Sequence, residues 1–515
     1  MKQMVSKKVY KKWISGLLAA LLLMSMSVVT VSAYASGTGT QADPYLITSA
    51  KELQNVNSDL SASYKLAADI DLKGVDFVPL GNAENGAFTG TFDGNGFTIF
   101  NLDMHAGKYA GLFGCNEGTI KNVTLDNIYV YGNRYLGGVC GQNTKYGTVE
   151  NCTVLDGQVE ADGGLDDICV GGVIGLNSGK CSDLINKANL SITNSYAKAG
   201  GIIGFVDTDT EMVIDNCVNY GEIYVDSLGD ASEYFTNTGE WHVTGGIVGV
   251  GGNITLLNCY NYGDIESFQQ SAAGIMGLVI YVSSIRCCAN YGKIYVKAES
   301  DPYSSGICAY SLATIDIREC QNSGIIDCYN PEYGIYEECV AAGILGAHSG
   351  SSTIISDTIN MGNIYAHGGI SASGSGFIGD GYNGNGRLIN CFNAGNIIDE
   401  DGVGRYSSGS TFFGIGWDFK YTLDNCYSNM HTLGNTYKGQ NIIDGFDELK
   451  NKYDCQSIWE IDNTDNGNNP SLKNLNSKIR LNITSGIYKV NDELLLKAYD
   501  EKGEIIDNIK WYSSN

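Results

Sequence analysis

The chain has 515 residues and a formal net charge of −25, with its acids scattered rather than gathered in a tail. That balance excludes a nucleic-acid partner, which needs a basic patch, and describes a self-repelling surface. Gly 67 beside only Pro 5 fits a turn-rich β protein rather than a disordered linker.

Residues 1–35 read as a signal peptide. Lys2, Lys7, Lys8, Lys11 and Lys12 form a basic start, residues 14–32 an apolar run, and Ala33-Tyr34-Ala35 a small-x-small cleavage site. Cleavage between Ala35 and Ser36 is expected, leaving an exported chain with a charge of about −30. No later apolar run approaches the ~18 residues of a membrane helix, so no membrane span is expected in the mature chain.

Residues 36–108 are expected to form an N-terminal capping segment and a first coil. Repeats then occupy 109–440. One phrase runs from AGLFG at 110–114 through GGVIG at 171–175 and GGIIG at 200–204 to FGIGW at 413–417, ten times in all. Its mean spacing is about 34 residues, the regularity of a stacked repeat. A second phrase, Cys-x-Asn-x-Gly-x-Ile, starts at Cys217, Cys259, Cys288, Cys320 and Cys391. In the fourth repeat, 200–206, 212–218 and 222–225 read as three short strands. Units this small cannot bury themselves and must stack. The expected fold is all-β: a right-handed parallel β-helix (solenoid) of about ten coils. A propeller is the rival, and the uneven repeat lengths count against it.

Asn219, Asn261, Asn290, Asn322, Asn360 and Asn393 occupy one repeat position, each followed two residues on by Gly. The glycines are expected to supply positive-φ turns, and the asparagines to hydrogen-bond along the stack like amide ladders. Seven cysteines share another position: Cys152, Cys217, Cys259, Cys288, Cys320, Cys391 and Cys426. Leu184 and Thr358 stand there in two repeats, so the position asks for a small buried side chain rather than a metal ligand or obligatory disulfide partner. Mostly free, buried thiols are expected. No Cys-x-x-Cys pair points to zinc.

Spacing from the glycine phrase to the cysteine position stays within 12 to 16 residues, whereas from there to the next glycine phrase it ranges from 15 to 29. Insertions therefore gather along one edge, where solenoids carry binding loops. Two inserts, 226–243 and 328–339, set acids beside aromatic rings. The candidate binding residues are Asp230, Glu233, Tyr234, Glu240 and Trp241 in the first, and Glu332, Tyr333, Tyr336, Glu337 and Glu338 in the second. Carboxylates with flat rings suit sugar stacking or calcium, and no other cofactor is expected.

The stretches at 37–56, 64–72, 88–102 and 109–125, with Gly111-Leu112-Phe113-Gly114 at their end, resemble the GLUG-repeat proteins of bacterial cell surfaces. The segment 457–475, Trp-x-Ile-Asp followed by Pro-x-Leu, is similar to the end of such arrays, and 441–478 is expected to be a C-terminal cap or linker. The resemblance implies an exported surface protein. Some members are immunoglobulin A peptidases whose repeats accompany a separate zinc protease domain. The FDGNG turn at 92–96 resembles the first coil of pectate-lyase-like β-helices. Residues 479–515 look like half of a bacterial Ig-like domain of the invasin/intimin kind, a partial β-sandwich that cannot close its two sheets.

No catalytic residues are nominated. His-Glu-x-x-His, Gly-x-Ser-x-Gly and a Walker loop are absent from the sequence. Asp166-Asp167 and Asn463-Thr464-Asp465 lie too far apart to flank one bond. The expected function is a non-catalytic cell-surface adhesin or spacer whose partner is a glycan or a protein. The alternatives are a carbohydrate-active β-helix enzyme and the non-catalytic arm of a larger surface peptidase.

Overall fold

The alternation of β-branched residues and glycine becomes three stacked parallel sheets. The computed structural model describes residues 34–461 apart from 83–85, 228–241, 300–301, 332–337, 351, 369–370, 383, 401–409, 418–419, 429–440 and 443–448, together with 470–475, 480–481 and 498–499. Each coil visits the sheets in the same order. A glycine-sheet strand such as Ile203–Val206 comes first. A cysteine-sheet segment follows, here Met212–Asp215 and Val218–Asn219. The coil ends in an insert-sheet segment, here Ile223–Ser227 and Val243–Gly245. The three sheets hold 10, 24 and 17 strands respectively. Strands pair with the same element one coil on, in parallel and in register. This is a parallel β-helix, and the propeller is excluded.

The glycine sheet has ten strands, one for each glycine phrase. The tenth phrase is misplaced in the sequence reading. Phe413 pairs with Ile378, and Ser410 with Ser375. The true tenth phrase is therefore residues 410–414, with Thr411 at the second glycine position, rather than 413–417.

The interior is filled by columns of aliphatic side chains in register. One runs Ile214, Leu256, Ile285, Ile317, Ile355 and Leu388, each fully buried. Each such side chain contributes about 1.5–3 kcal/mol of burial, and only to its own coil and its neighbours.

The expected asparagine ladder is present, with one more rung. Asn186, Asn219, Asn261, Asn290, Asn322, Asn360 and Asn393 are fully buried. Each Nδ2 up to Asn360 donates to the next Oδ1 at 2.8–2.9 Å. The same Nδ2 also donates to a carbonyl two residues on, as Asn261 does to Gly263 at 2.8 Å. A shorter ladder, Asn116 to Asn143 to Asn177, lies at the corner after the glycine sheet.

The glycines after the asparagines serve another purpose than the expected one. None of Gly221, Gly263, Gly292, Gly324, Gly362 or Gly395 has positive φ. They are needed for close approach: a Cβ on Gly263 would lie 2.0 Å from the Gly221 carbonyl oxygen. The left-handed residue is instead the one before the cysteine position. Asn122, Asn151, Asp183, Asn216, Asn258, Cys287, Glu319, Asp357, Asn390 and Asn425 all have φ between 47° and 56°. They bend the cysteine sheet once per coil. Asparagine and aspartate tolerate this region best among residues with a side chain.

None of the sixteen cysteines forms a disulfide. The seven of the repeat column are buried. Their thiols donate to the carbonyl two residues back, as Cys288 does to Arg286 at 3.1 Å and Cys320 to Arg318 at 3.2 Å. Thr358 makes the same bond to Ser356 at 2.8 Å. The position therefore selects a small side chain that can donate inward, and Leu184 fills it by packing alone.

At the N-terminal end, the short helix Ala50–Gln54 is capped by Ser49, whose side chain accepts from the Glu52 N–H. The Glu52 carboxylate accepts in return from the Thr48 N–H at 2.7 Å, a reciprocal arrangement of the capping-box type. Near the other end, Tyr453, Trp459 and Leu472 pack on Ile359, Phe392 and Tyr427 on the outside of the cysteine sheet. Trp459 donates to Asp357 at 3.2 Å and Tyr453 to the Cys391 carbonyl at 2.9 Å. Most of residues 479–515, where the Ig-like half-domain is expected, lies outside the described residues. Arg480–Leu481 and Ala498–Tyr499 pair antiparallel.

Candidate functional site

Insertions split one sheet. In the coils at Gly157–Gly171 and Asn189–Gly200 the insert sheet is a single long strand. From the next coil on it breaks into two ladders, with the variable segment between them: Ile223–Ser227 then Val243–Gly245, and Ile326–Asn330 then Glu338–Ala342. The variable seam thus lies between paired strands on both sides.

Of the sequence-nominated residues, Asp230, Glu233, Tyr234, Glu240, Trp241, Glu332, Tyr333, Tyr336 and Glu337 lie outside the described residues. Glu338 opens a strand, with its backbone opposite Ser371. Ser36 pairs with Leu46 through an antiparallel bridge. Tyr34, next to the expected cleavage site at Ala35, stacks on Tyr45 with ring centroids 4.5 Å apart.

The strands just before the inserts carry a constellation that the sequence reading missed. They read IYVDS, IESF, IYVK, IDCYN and IYAHG on five successive coils. Side chains of a strand alternate between its faces, so the first and third residues enter the core while the second and fourth face out. Tyr224 and Asp226 face out on the first of these coils. Glu266 and Phe268 do so on the second, and Tyr295 and Lys297 on the third. Asp327 with Tyr329, then Tyr365 with His367, complete the stripe. Each coil thus offers one ring and one hydrogen-bonding group.

Register fixes two columns. Tyr224, Glu266, Tyr295, Asp327 and Tyr365 form one, and Asp226, Phe268, Lys297, Tyr329 and His367 the other. The rings contact one another diagonally: Tyr224 to Phe268 at 5.6 Å and Phe268 to Tyr295 at 6.1 Å between centroids. The polar groups are held in place. The Asp327 carboxylate meets His367 Nε2 at 2.7 Å and Lys293 Nζ at 3.7 Å. Burial, then the nearby Asp327 carboxylate, push the Tyr295 hydroxyl up, so it stays a neutral donor.

A period-two reading of the four-residue strands after each Gly-x-Ile would have found this stripe. Insert length points to the loops instead. Elsewhere, Arg286 and Arg318 on the exposed cysteine sheet share Asp316, at 3.4 and 2.7 Å. This is one acid between two arginines on an outward face, not a cleft of paired acids. Among the described residues no group of three or more His, Cys, Asp or Glu converges to hold a metal. No helix among them is long and apolar enough to cross a membrane.

The GLUG motif is matched over residues 132–159. That stretch takes in a glycine-sheet strand at Cys140–Asn143 and a cysteine-sheet strand at Thr148–Val154, most of one coil. Halomucin of Haloquadratum walsbyi is 39% identical over 155 residues, which is 27% of this chain and 2% of halomucin. A protein of Evansella cellulosilytica named as a Gly-rich membrane protein is 38% identical over 138 residues, 24% of this chain and 16% of that protein. The matches thus span a small part of the length of both curated relatives. A solved structure named as an immunoglobulin A1 protease of Bacteroides ovatus aligns over 86% of this chain and 96% of its own, at 17% identity and a TM-score of 0.25.

Proposed function

We propose that this chain is an exported cell-surface solenoid that holds a glycan or protein along its insert edge and performs no chemistry itself. The observation that carries this reading is the concentration of variation on one seam. Core columns, asparagine ladder and thiol column repeat with little change, whereas insert length varies most along one edge. A rigid frame with a variable edge is how repeat proteins present binding surfaces. The acidic composition suits a soluble surface array. Part of the chain is similar to halomucin and to a protein named as a Gly-rich membrane protein, and the latter name supports a place at the cell envelope. The leader read from residues 1–35 supplies the route.

The test has two parts. Cells producing the full chain with its own leader are fractionated, with the expectation that it is found outside the cytoplasm and begins at Ser36. The purified chain is then screened on glycan and host-matrix-protein arrays, with and without calcium, beside a variant lacking residues 228–241. Binding that weakens in the variant supports the reading. Retention in the cytoplasm, or binding indifferent to the seam, contradicts it.

A further inference from the structure

The outward stripe has a finer pattern than a patch of rings. Across five coils the ring changes column at every step: Tyr224 in the first, Phe268 in the second, Tyr295 back in the first, Tyr329 in the second, Tyr365 in the first. The polar partner changes the opposite way. Successive coils lie about 4.8 Å apart, close to the length of one pyranose residue in an extended chain. A surface that repeats once per sugar length and reverses left and right at each step complements a chain whose successive residues are turned over. That is the geometry of an extended β-1,4-linked polysaccharide.

From this zigzag of one ring and one polar group per coil we infer that the outer face of the insert sheet binds a neutral, β-1,4-linked glycan running along the solenoid axis. The inference rests on the reading of the chain as a surface-binding solenoid and names its ligand class. Pyranose C–H faces lie on the rings, and hydroxyls on the opposite edge meet Asp226, Glu266, Lys297 or Asp327 in turn. A carboxylate accepts from sugar hydroxyls, and an ammonium or imidazole donates to them. Asp226, Glu266 and Asp327 against Lys297 on these five strands, with Lys293 beside Asp327 and within a chain of net charge −25, disfavour a polyanion. The rings are pre-set by packing on one another, so little ordering cost falls on binding. Glu266, Asp226 and Tyr224 are exposed and Phe268, Tyr295 and Tyr329 half-buried, which leaves surface for a ligand.

Calorimetric titration of the full purified chain with cellohexaose, maltohexaose and hexagalacturonate tests this. Cellohexaose is expected to bind. Maltohexaose, whose α-links coil the chain, and the anionic hexamer are expected to bind at least tenfold more weakly. Tyr295→Leu and Phe268→Leu keep apolar bulk while removing a flat ring, and each should weaken cellohexaose about tenfold. Tyr281→Leu, at an exposed tyrosine beyond the stripe, should change nothing. Thermal unfolding of each variant checks that the coil still forms. Equal binding of cellohexaose and maltohexaose, or binding untouched by both ring variants, would overturn the inference. If no hexamer binds while array binding still depends on residues 228–241, the glycan assignment fails and the surface-binding reading stands. If neither binds, both fail.

Discussion

Gly246 lies against the side-chain amide of Asn261: a Cβ added to Gly246 would sit 2.5 Å from Asn261 Cγ and 2.0 Å from the Gly274 carbonyl oxygen. The two phrases of the repeat are therefore one device. The second glycine of one phrase makes room for the asparagine of the next. The same contact recurs between Gly201 and Asn219, and between Gly306 and Asn322.

Gly246→Ala is expected to cost roughly 2–4 kcal/mol, since the obstruction is backbone as well as side chain. Asn261→Leu should cost about 3 kcal/mol or more. It strands the Gly263 carbonyl and leaves Asn219 and Asn290 each short of a buried partner. Urea unfolding followed by circular dichroism measures both. A loss below about 1 kcal/mol for each would show that the ladder is decoration.

The left-handed bend before each cysteine predicts a contrast at Asn258, where φ is 52°. Asn258→Val should lose about 2 kcal/mol, through backbone strain and loss of the bond to Asp215 at 2.9 Å. Asn258→Gly keeps the conformation and should lose less. The ordering of the two midpoints decides the matter, and Val above Gly would contradict it.

The thiol column should titrate as thiols. Denatured, unreduced protein is expected to show close to sixteen reactive groups, and almost none would contradict the account. In the native chain Cys152 should react slowly, because burial pushes its thiol up to about 12 and the thiolate is the nucleophile. Cys288→Thr reproduces the Thr358 arrangement and should cost under about 1.5 kcal/mol, whereas Cys288→Asp buries a charge and should prevent that coil from packing.

Acid should weaken the fold through His348. Its ring is buried, and that burial lowers its pKa from 6.5 to about 4. The unfolded chain therefore binds this proton more readily than the folded one between those two values. Stability is complete above about pH 6.5 and declines as pH falls towards 4, by up to roughly 3 kcal/mol. His348→Gln should flatten that part of the pH profile of the unfolding midpoint. An unchanged slope would assign the acid sensitivity elsewhere.

Much of this architecture was readable because it repeats. Glycine phrases marked every strand of one sheet, and Asn219 to Asn393 marked their ladder. What failed had physical causes. Gly263 and its equivalents suggested positive φ, but glycine serves tight approach as well as turns, and a sequence does not distinguish them. The true left-handed position escaped because Cys287 and Glu319 occupy it beside Asn and Asp, so it shows no single residue type. The tenth phrase slipped by three residues because Gly414 matches the wrong glycine of the pattern. The stripe from Tyr224 to His367 was hidden in strands of four or five residues, too short for alternation to stand out until register stacked them into columns.

The most direct measurement is a crystal structure of the chain soaked with cellohexaose. The account predicts a chain of sugars parallel to the solenoid axis on the outer insert sheet, with rings over Tyr224, Phe268 and Tyr295 and hydroxyls on Glu266 and Asp327. Density for the sugar on the cysteine or glycine sheet, or an unoccupied stripe at saturating ligand, would contradict it.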